Sequence, residues 1–146
     1  MIIKKINAKR TFEIRHPILR KGLPIDSCKF ENDNNPNSIH LGAIENNKLI
    51  AVISALPNKC QFFPEKKAYQ IRGLGVLEKF RRKGIASVLI KETEIVLKNK
   101  YLIDLIWLNS RIIASKLYLK NSYISYGEPF EIKISGTHQR FYKILD

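Results

Sequence analysis

The sequence has few acidic residues, almost no cysteine and no long apolar run. Its two cysteines, Cys28 and Cys60, are far apart and lack metal-ligand spacing, so we expect free thiols in a reducing cytoplasm and no metal site. No apolar run approaches the ~20 residues that span a bilayer, so we expect no membrane association. The first residues, Met-Ile-Ile-Lys-Lys-Ile, become charged too early for a secretory signal.

The shortage of acidic residues leaves the chain strongly basic. It has 13 Asp and Glu against 26 Lys and Arg, a formal net charge of +13. The lysines are scattered rather than gathered in one stripe, and they accompany many Ile and Asn residues, a bias that AT-rich coding produces by itself. The charge therefore favours attraction of a polyanionic cofactor or an acidic substrate. A basic nucleic-acid binder stays as a further hypothesis.

Size and periodicity predict one soluble domain over residues 1–146, with 45% hydrophobic residues to build its core. The clearest local pattern is a hairpin of strands 38–45 and 48–56, joined by a tight Asn46-Asn47 turn with left-handed backbone. Further strands are predicted at 1–7, 68–76 and 102–108. Residues 123–126 and 131–135, and then 140–145, are predicted as two last strands separated by Gly136-Thr137. Helices are predicted after a Thr11 cap, with Pro17 inside and Gly22 ending the helix, and at 84–98 and 112–121.

The segment Gly73–Ala86 is the most informative stretch. Strand-like residues run to Val76, a short basic loop follows, and Gly84 opens a segment with helical period. Such a junction presents unpaired N–H groups and the positive end of the helix dipole at one point. Three consecutive cations, Arg81-Arg82-Lys83, add full charge, and Gly84 lets the backbone approach an anion closely. The pattern predicts a phosphate or pyrophosphate site.

The sequence Arg81-x-x-Gly84-x-Ala86 also resembles the acyl-coenzyme A signature of the GCN5-related N-acetyltransferase (GNAT) family. The order of predicted elements resembles the family from Ile39 to Leu145. The resemblance implies an α/β (α+β) fold: a mixed, mostly antiparallel twisted sheet of six to seven strands, flanked by about four helices. It implies acetyl-coenzyme A (acetyl-CoA) as the cofactor.

Part of the cofactor site follows from the same resemblance. The pantetheine arm is expected along Leu74, Gly75 and Val76. The pyrophosphate is expected at Arg81, Arg82, Lys83, Gly84, Ile85, Ala86 and Ser87.

A second family motif, Asn-x-x-Ala-x-x-x-Tyr, is matched at Ala114 and Tyr118. Arg111 stands where the family has Asn, and Asn109 lies two residues earlier, so the resemblance places Asn109, Arg111 and Ala114 beside the cofactor. The family's Gly-Phe turn is replaced by Ser122-Tyr123. We expect Asn121 to take the left-handed conformation that glycine would supply.

The resemblance implies a catalytic role for Tyr118. Transfer of an acyl group from a thioester to an amine passes through an oxyanion and expels a thiolate, which a nearby hydroxyl can protonate. Backbone N–H groups near Leu74 to Val76 can hold the oxyanion. The strand at 68–72 carries no glutamate to act as base. Two residues of the tail, Glu128 and His138, resemble acceptor-pocket residues of small bacterial family members. They are candidates for contacts with the substrate and for the general base.

The acceptor side carries further candidates. Arg15 and His16 lie on the first helix, and the polar loop 26–38 places Glu31 and Asp33 where they can contact an amine substrate. The alternatives are a solvated connection for the loop and a partly exposed histidine beside a kink for His16.

Our leading hypothesis is an acetyl-CoA-dependent N-acetyltransferase that transfers acetyl to an amine of a small molecule or peptide by direct attack in a ternary complex. The alternative is a non-catalytic CoA-binding or protein-interaction module on the same fold. The missing base and the departures from the family motifs at Arg111 and Ser122 favour this alternative. The acceptor and a homodimer are left open.

Overall fold

A computed structural model describes residues 1–133 and 135–146 of the chain, so Ile134, within the predicted strand segment 131–135, lies outside the described residues. The strands are β1 (Ile2–Lys5), β2 (Ile39–Glu45), β3 (Lys48–Pro57), β4 (Ala68–Val76), β5 (Leu105–Arg111), β6 (Ile124–Ile132) and β7 (Gly136–Ile144). The α-helices are α1 (Phe12–Leu19), α2 (Ile85–Tyr101) and α3 (Ser115–Lys120).

The seven described strands form one sheet in the order β1-β2-β3-β4-β5-β7-β6. Neighbours are antiparallel except β4 and β5, which run parallel and are connected through α2. This confirms the mixed, mostly antiparallel sheet. The helices number three in the described residues instead of about four, because residues 25–28 form only a short 3-10 turn and residues 112–121 divide into a 3-10 turn and α3.

The sheet opens between its two parallel strands. β4 and β5 pair only where Ala68–Gln70 meets Leu105–Trp107. Beyond that point β4 continues to Val76 and β5 to Arg111 with no pairing between them in the described residues. A register shift between Val52 and Ser54 of β3, opposite the middle of β4, marks an irregularity that bends the strand. The result is a wedge in the sheet.

The two longer helices pack on opposite faces of the sheet. Leu89, Ile90 and Leu97 of α2 join one core cluster with Ile53. Ile14 of α1 joins another with Val52. Because successive strand residues point to opposite faces, Val52 and Ile53 separate the two layers. None of the described helices combines the length and apolar character needed to cross a bilayer.

Several predicted boundaries change. Thr11 does not cap α1: its backbone is helical, and its hydroxyl donates to the Ala8 carbonyl. α2 runs three residues past the predicted end, to Tyr101, where Leu102 turns left-handed at φ +54° and the Ile103 N–H bonds back to the Leu97 carbonyl. Strand β5 therefore begins later than predicted. The left-handed turn at Asn46 and Asn47 is confirmed, with φ of +49° and +63°.

Candidate active site

The basic loop ends at the N-terminus of α2, as predicted. Gly84 is the residue before the helix, with φ +77°, and the Val88 N–H makes the first helical bond to its carbonyl at 3.1 Å. The N–H groups of residues 85–87 therefore have no acceptor within the described part of the chain. The predicted helix start at Gly84 is confirmed, and residues 81–84 are not helix interior.

A cavity of about 200 Å³ lies at this helix terminus. Its basic lining residues are Arg81, Arg82 and Lys120. Arg81 is held in place because its Nε donates to the Val76 carbonyl at 3.2 Å. Lys83 is exposed, and its ammonium lies 5.5 Å from the Phe80 ring centroid. The cations and the free amides together make this pocket suitable for an anion.

A larger cavity of about 840 Å³ fills the wedge between β4 and β5. It shares Val76, Arg81, Ala86 and Leu117 with the smaller cavity, so the two form one continuous groove. We call this the wedge groove. The predicted site residues that line it are Leu74, Gly75, Val76, Arg81, Arg82, Gly84, Ile85, Ala86, Ser87, Asn109, Arg111, Ala114, Tyr118 and His138.

The edge of β4 offers backbone donors to the wedge groove. The Leu77 N–H donates to the Ile50 carbonyl of β3 at 2.9 Å. Because alternate residues of a strand direct their polar groups to opposite sides, the Val76 N–H is directed away from β3. Arg81 bonds the Val76 carbonyl from that other side. The N–H and carbonyl groups of Val76 therefore point into the gap between β4 and β5.

Tyr118 lies against the groove on the far side from α1. Its side chain is 7% exposed and packs against Tyr123 and Phe141, with ring centroids 5.9 and 5.8 Å away. Burial raises the pKa of the Tyr118 phenol, which is therefore neutral at physiological pH. Its hydroxyl makes no hydrogen bond within the described residues, whereas the Tyr123 hydroxyl donates to Glu94 at 2.8 Å. Tyr118 thus has a proton that a bound ligand can accept.

The turn after α3 differs from the prediction. Ser122 itself takes the left-handed conformation, at φ +70°, and Asn121 does not, at φ −94°. Asn121 is buried. Its side-chain amide donates to the Ser87 hydroxyl at 3.0 Å and to the Leu117 carbonyl at 2.8 Å, so the buried amide is hydrogen-bonded. It connects α3 to the first turn of α2.

His138 lies on β7, 7% exposed, in the wall of the wedge groove. Its Nδ1 lies 2.8 Å from the Gly136 carbonyl oxygen. A carbonyl only accepts hydrogen bonds, so Nδ1 carries the proton, and in the neutral ring the Nε2 lone pair is free to accept one.

Two predicted substrate contacts are instead structural. Arg15 is fully buried, and both its terminal nitrogens bond the Asp33 carboxylate, at 2.7 and 3.0 Å. Neither residue lines the groove, so nothing in the structure supports the expectation that Asp33 contacts an amine. The Asp33 carboxylate is already paired with the Arg15 guanidinium inside the protein.

Three other predicted acceptor residues also lie outside the groove lining. His16 closes the turn after α1, where its Nε2 donates to the Leu23 carbonyl at 2.8 Å. Glu31 and Glu128 are exposed. In the described residues no three His, Cys, Asp or Glu side chains group as a metal site.

The groove residues that escaped the sequence prediction include the polar side chains of Arg20, Gln70, Arg72 and Ser110 and the aromatic ring of Phe30. They come from the segment after α1 and from β4 and β5, which only the tertiary structure brings together. One signal was available in the sequence, since Arg72 is a charged residue inside an otherwise uncharged strand.

The fold and groove define a mixed α+β protein with free amides at a basic helix N-terminus. The sequence matches the Acetyltransferase (GNAT) family over residues 8–123. It is 36% identical over 143 residues to YitI of Bacillus subtilis (strain 168), an uncharacterized N-acetyltransferase, covering 98% of this chain and 95% of that protein. The chain belongs to the GNAT family and is an N-acetyltransferase by class.

Solved structures share the fold at low sequence identity. An aminoglycoside 6'-N-acetyltransferase complexed with coenzyme A matches with a TM-score of 0.78 at 14% identity, covering 100% of this chain and 98% of that one. Arabidopsis thaliana NAA60 in complex with a bisubstrate analogue matches with a TM-score of 0.77 at 18% identity, covering 98% and 97%. These likenesses support the architecture.

Proposed function

We propose that the chain transfers an acetyl group from acetyl-CoA to an amine by direct attack within a ternary complex. The observation that carries this proposal is the continuity of the wedge groove. One path leads from the free amides at the start of α2, along the turned-out edge at Val76, to the unpartnered hydroxyl of Tyr118. Relatives named as N-acetyltransferases support it.

The residues present fit acetyl-CoA. The cradle at residues 81–87 presents unpaired N–H groups and guanidinium charge to a diphosphate. The edge at Leu74–Val76 suits the amide-bearing arm, with Asn109, Arg111 and Ala114 lining the opposite wall. When bound there, acetyl-CoA supplies the thioester whose acyl carbon the amine attacks.

Tyr118 and Val76 have complementary roles in the proposed reaction. The Val76 N–H can stabilise negative charge that develops on the acyl oxygen. Tyr118 can donate its proton to the departing sulfur, since the phenol is protonated at neutral pH.

The amine must lose a proton to attack, and His138 is our candidate to receive it. Its Nδ1–H is held by the Gly136 carbonyl, so Nε2 can act as the base. Glu128 is exposed outside the groove lining and is the weaker candidate.

The substitution Tyr118→Phe tests the assigned acid. We expect the rate of acetyl transfer to fall by about 10²-fold or more, because general-acid catalysis contributes on that order. The affinity for acetyl-CoA, measured by calorimetric titration, should stay close to that of the wild type. Tyr123→Phe is the matched control: it removes a neighbouring hydroxyl that bonds Glu94 outside the groove, so it should lower stability and spare turnover.

Equal losses of turnover and of acetyl-CoA affinity in Tyr118→Phe would refute the acid role. Binding of acetyl-CoA by the wild type without transfer to any member of a broad amine panel would favour the non-catalytic module instead.

A further inference from the structure

Two arginines in the wedge groove have no carboxylate partner. Arg72 lies midway along β4, half-buried, and Arg20 follows the last residue of α1. Arg20 bonds only the Ser27 and Leu19 carbonyls, and Arg72 forms no hydrogen bond within the described residues. The ion pairs of the described chain involve other residues. Two guanidiniums therefore line the groove with N–H donors that no carboxylate of the described residues pairs with.

The Phe30 ring lies close to both cations. Its ring centroid lies 4.1 Å from the Arg72 guanidinium carbon and 5.5 Å from that of Arg20. Arg15 also stacks on this ring at 3.8 Å, but Asp33 neutralises its charge. Burial, and then the charges of Arg20 and Arg15, lower the pKa of Arg72, while Asp33 and Glu31 act in the opposite direction.

The groove lining contains no acidic side chain to compensate them. Its charged members in the described residues are Arg20, Arg72, Arg81, Arg82, Arg111 and Lys120, and its other titratable side chains are Tyr118 and His138. Glu31 and Asp33 act on Arg72 only from a distance, since neither forms an ion pair with it. A cationic acceptor entering this end of the groove would meet like charge without relief.

Arg72 is set apart from the predicted diphosphate site. It precedes Val76 by four strand residues, roughly 13 Å along an extended chain, and the free amides of α2 lie beyond Val76. Arg20 directly follows α1, which packs on the sheet face opposite α2. The pair therefore lies at the end of the wedge groove away from the free amides of α2, which we call its acceptor end.

We infer that the acceptor is an acidic amine, whose carboxylate or phosphate docks on Arg72 and Arg20 beside Phe30 while its amine reaches the acyl donor. This rests on the proposed function and deepens it. Guanidiniums pair with both anions through two parallel N–H···O bonds, so carboxylate and phosphate share one recognition chemistry. Aminoglycosides and polyamines, which are polycations, are disfavoured by the same charges.

The first experiment compares acceptors of equal chain length. Acetyl transfer is measured for ω-amino carboxylates from glycine to 6-aminohexanoate, with the matching amino alcohols and diamines. Phosphoethanolamine against ethanolamine provides the phosphate arm. We expect kcat/KM for the best anionic acceptor to exceed that of its neutral counterpart about tenfold or more, with the diamine lowest.

The second experiment removes the cations one at a time. Arg72→Gln and Arg20→Gln should each lower kcat/KM for the anionic acceptor about 10- to 100-fold, with the acetyl-CoA dissociation constant changed less than about twofold. Arg72→Lys should recover part of the loss, because it restores charge without the planar fork. Arg10→Gln is the control for net charge, since Arg10 pairs with Glu13 outside the groove.

Failure of the inference differs from failure of the proposed function. Preference for diamines or alcohols would overturn the inference and leave the acetyltransferase activity in place. Loss of acetyl-CoA affinity in the two Arg→Gln variants would also overturn the inference. The same holds if the CoA-loaded enzyme neither acetylates nor binds acidic amines. Failure of the wild type to bind acetyl-CoA would instead overturn the proposed function.

Discussion

Arg15 is the anchor of a buried polar network between α1, the loop after it and the sheet. It bonds Asp33 and the Cys28 carbonyl, and its other terminal nitrogen donates to the Ser54 hydroxyl at 2.8 Å. Ser54 lies 2.6 Å from His40 Nδ1, and His40 Nε2 lies 2.9 Å from the Asp33 carbonyl. Since a carbonyl only accepts, Nε2 carries the proton and Nδ1 accepts from Ser54. The network holds the wall that carries Phe30.

The substitution Asp33→Asn should destabilise the fold by about 3–5 kcal/mol, because it leaves the Arg15 charge buried and uncompensated. Urea denaturation monitored by circular dichroism measures the change. Asp26→Asn is the matched control: Asp26 pairs with Lys29 on the surface, where both side chains are mostly exposed, and little change is expected. Equal effects of the two substitutions would show that the Arg15 pair does not stabilise the wall.

His40 gives the stability a defined pH dependence. Burial lowers the pKa of His40 below its usual 6.5, so the unfolded chain binds a proton more readily than the folded one. Stability from this residue is complete above about pH 6.5 and is lost as the pH falls through the depressed folded pKa. Urea midpoints measured across this range should fall with decreasing pH. In His40→Gln that decrease should be shallower, and an unchanged slope would argue against the assignment.

At the scale of elements, the backbone conformation of Gly73 shapes the part of β4 that lines the wedge groove. Its φ is +66°, and a Cβ there would lie 2.8 Å from the Phe30 ring and 3.1 Å from Arg15 Nε. The register shift between β3 and β4 falls opposite this residue. The irregular backbone of one glycine therefore separates the regular part of β4 from the edge that faces the start of α2 in the wedge groove.

Gly73→Ala should be destabilising and should impair acceptor use. The left-handed backbone costs a non-glycine residue about 1–2 kcal/mol, and displacement of Phe30 disturbs the acceptor end of the groove. Gly22→Ala isolates the backbone cost, since Gly22 has φ +81° and a Cβ there would have open space. We expect Gly73→Ala to lose more stability by urea denaturation and to raise the acceptor KM. Indistinguishable behaviour of the two variants would contradict this account of β4.

At the scale of the molecule, local patterns were predictable from the sequence. The hairpin turn at Asn46-Asn47 and the start of α2 at Gly84 are confirmed because short-range backbone chemistry determines both. The seven-strand mixed sheet agrees with the expectation from the resemblance. The roles of the candidate site residues stay predictions, although most of them line one groove.

The acceptor end was not predictable because it depends on long-range contacts. Arg15 and Asp33 are 18 residues apart, and their burial together follows from packing of the loop against the sheet. Arg72 of β4 contacts Phe30 of the loop after α1, and no periodicity in the sequence reveals that contact. The end of α2 was placed three residues too early for a different reason: the residue that follows the helix is Leu102, a residue type that rarely takes the left-handed conformation and so gives no stop signal in the sequence.

The central claim is that the amides and cations around Gly84 hold the diphosphate of acetyl-CoA. Calorimetric titration of acetyl-CoA into the wild type, Gly84→Val and Gly22→Val tests it most directly, because both glycines are left-handed in open space and only Gly84 lines the groove. We predict micromolar binding by the wild type and by Gly22→Val, and loss of binding by folded Gly84→Val. Equal affinity of Gly84→Val and the wild type, or no binding by either, would contradict the claim.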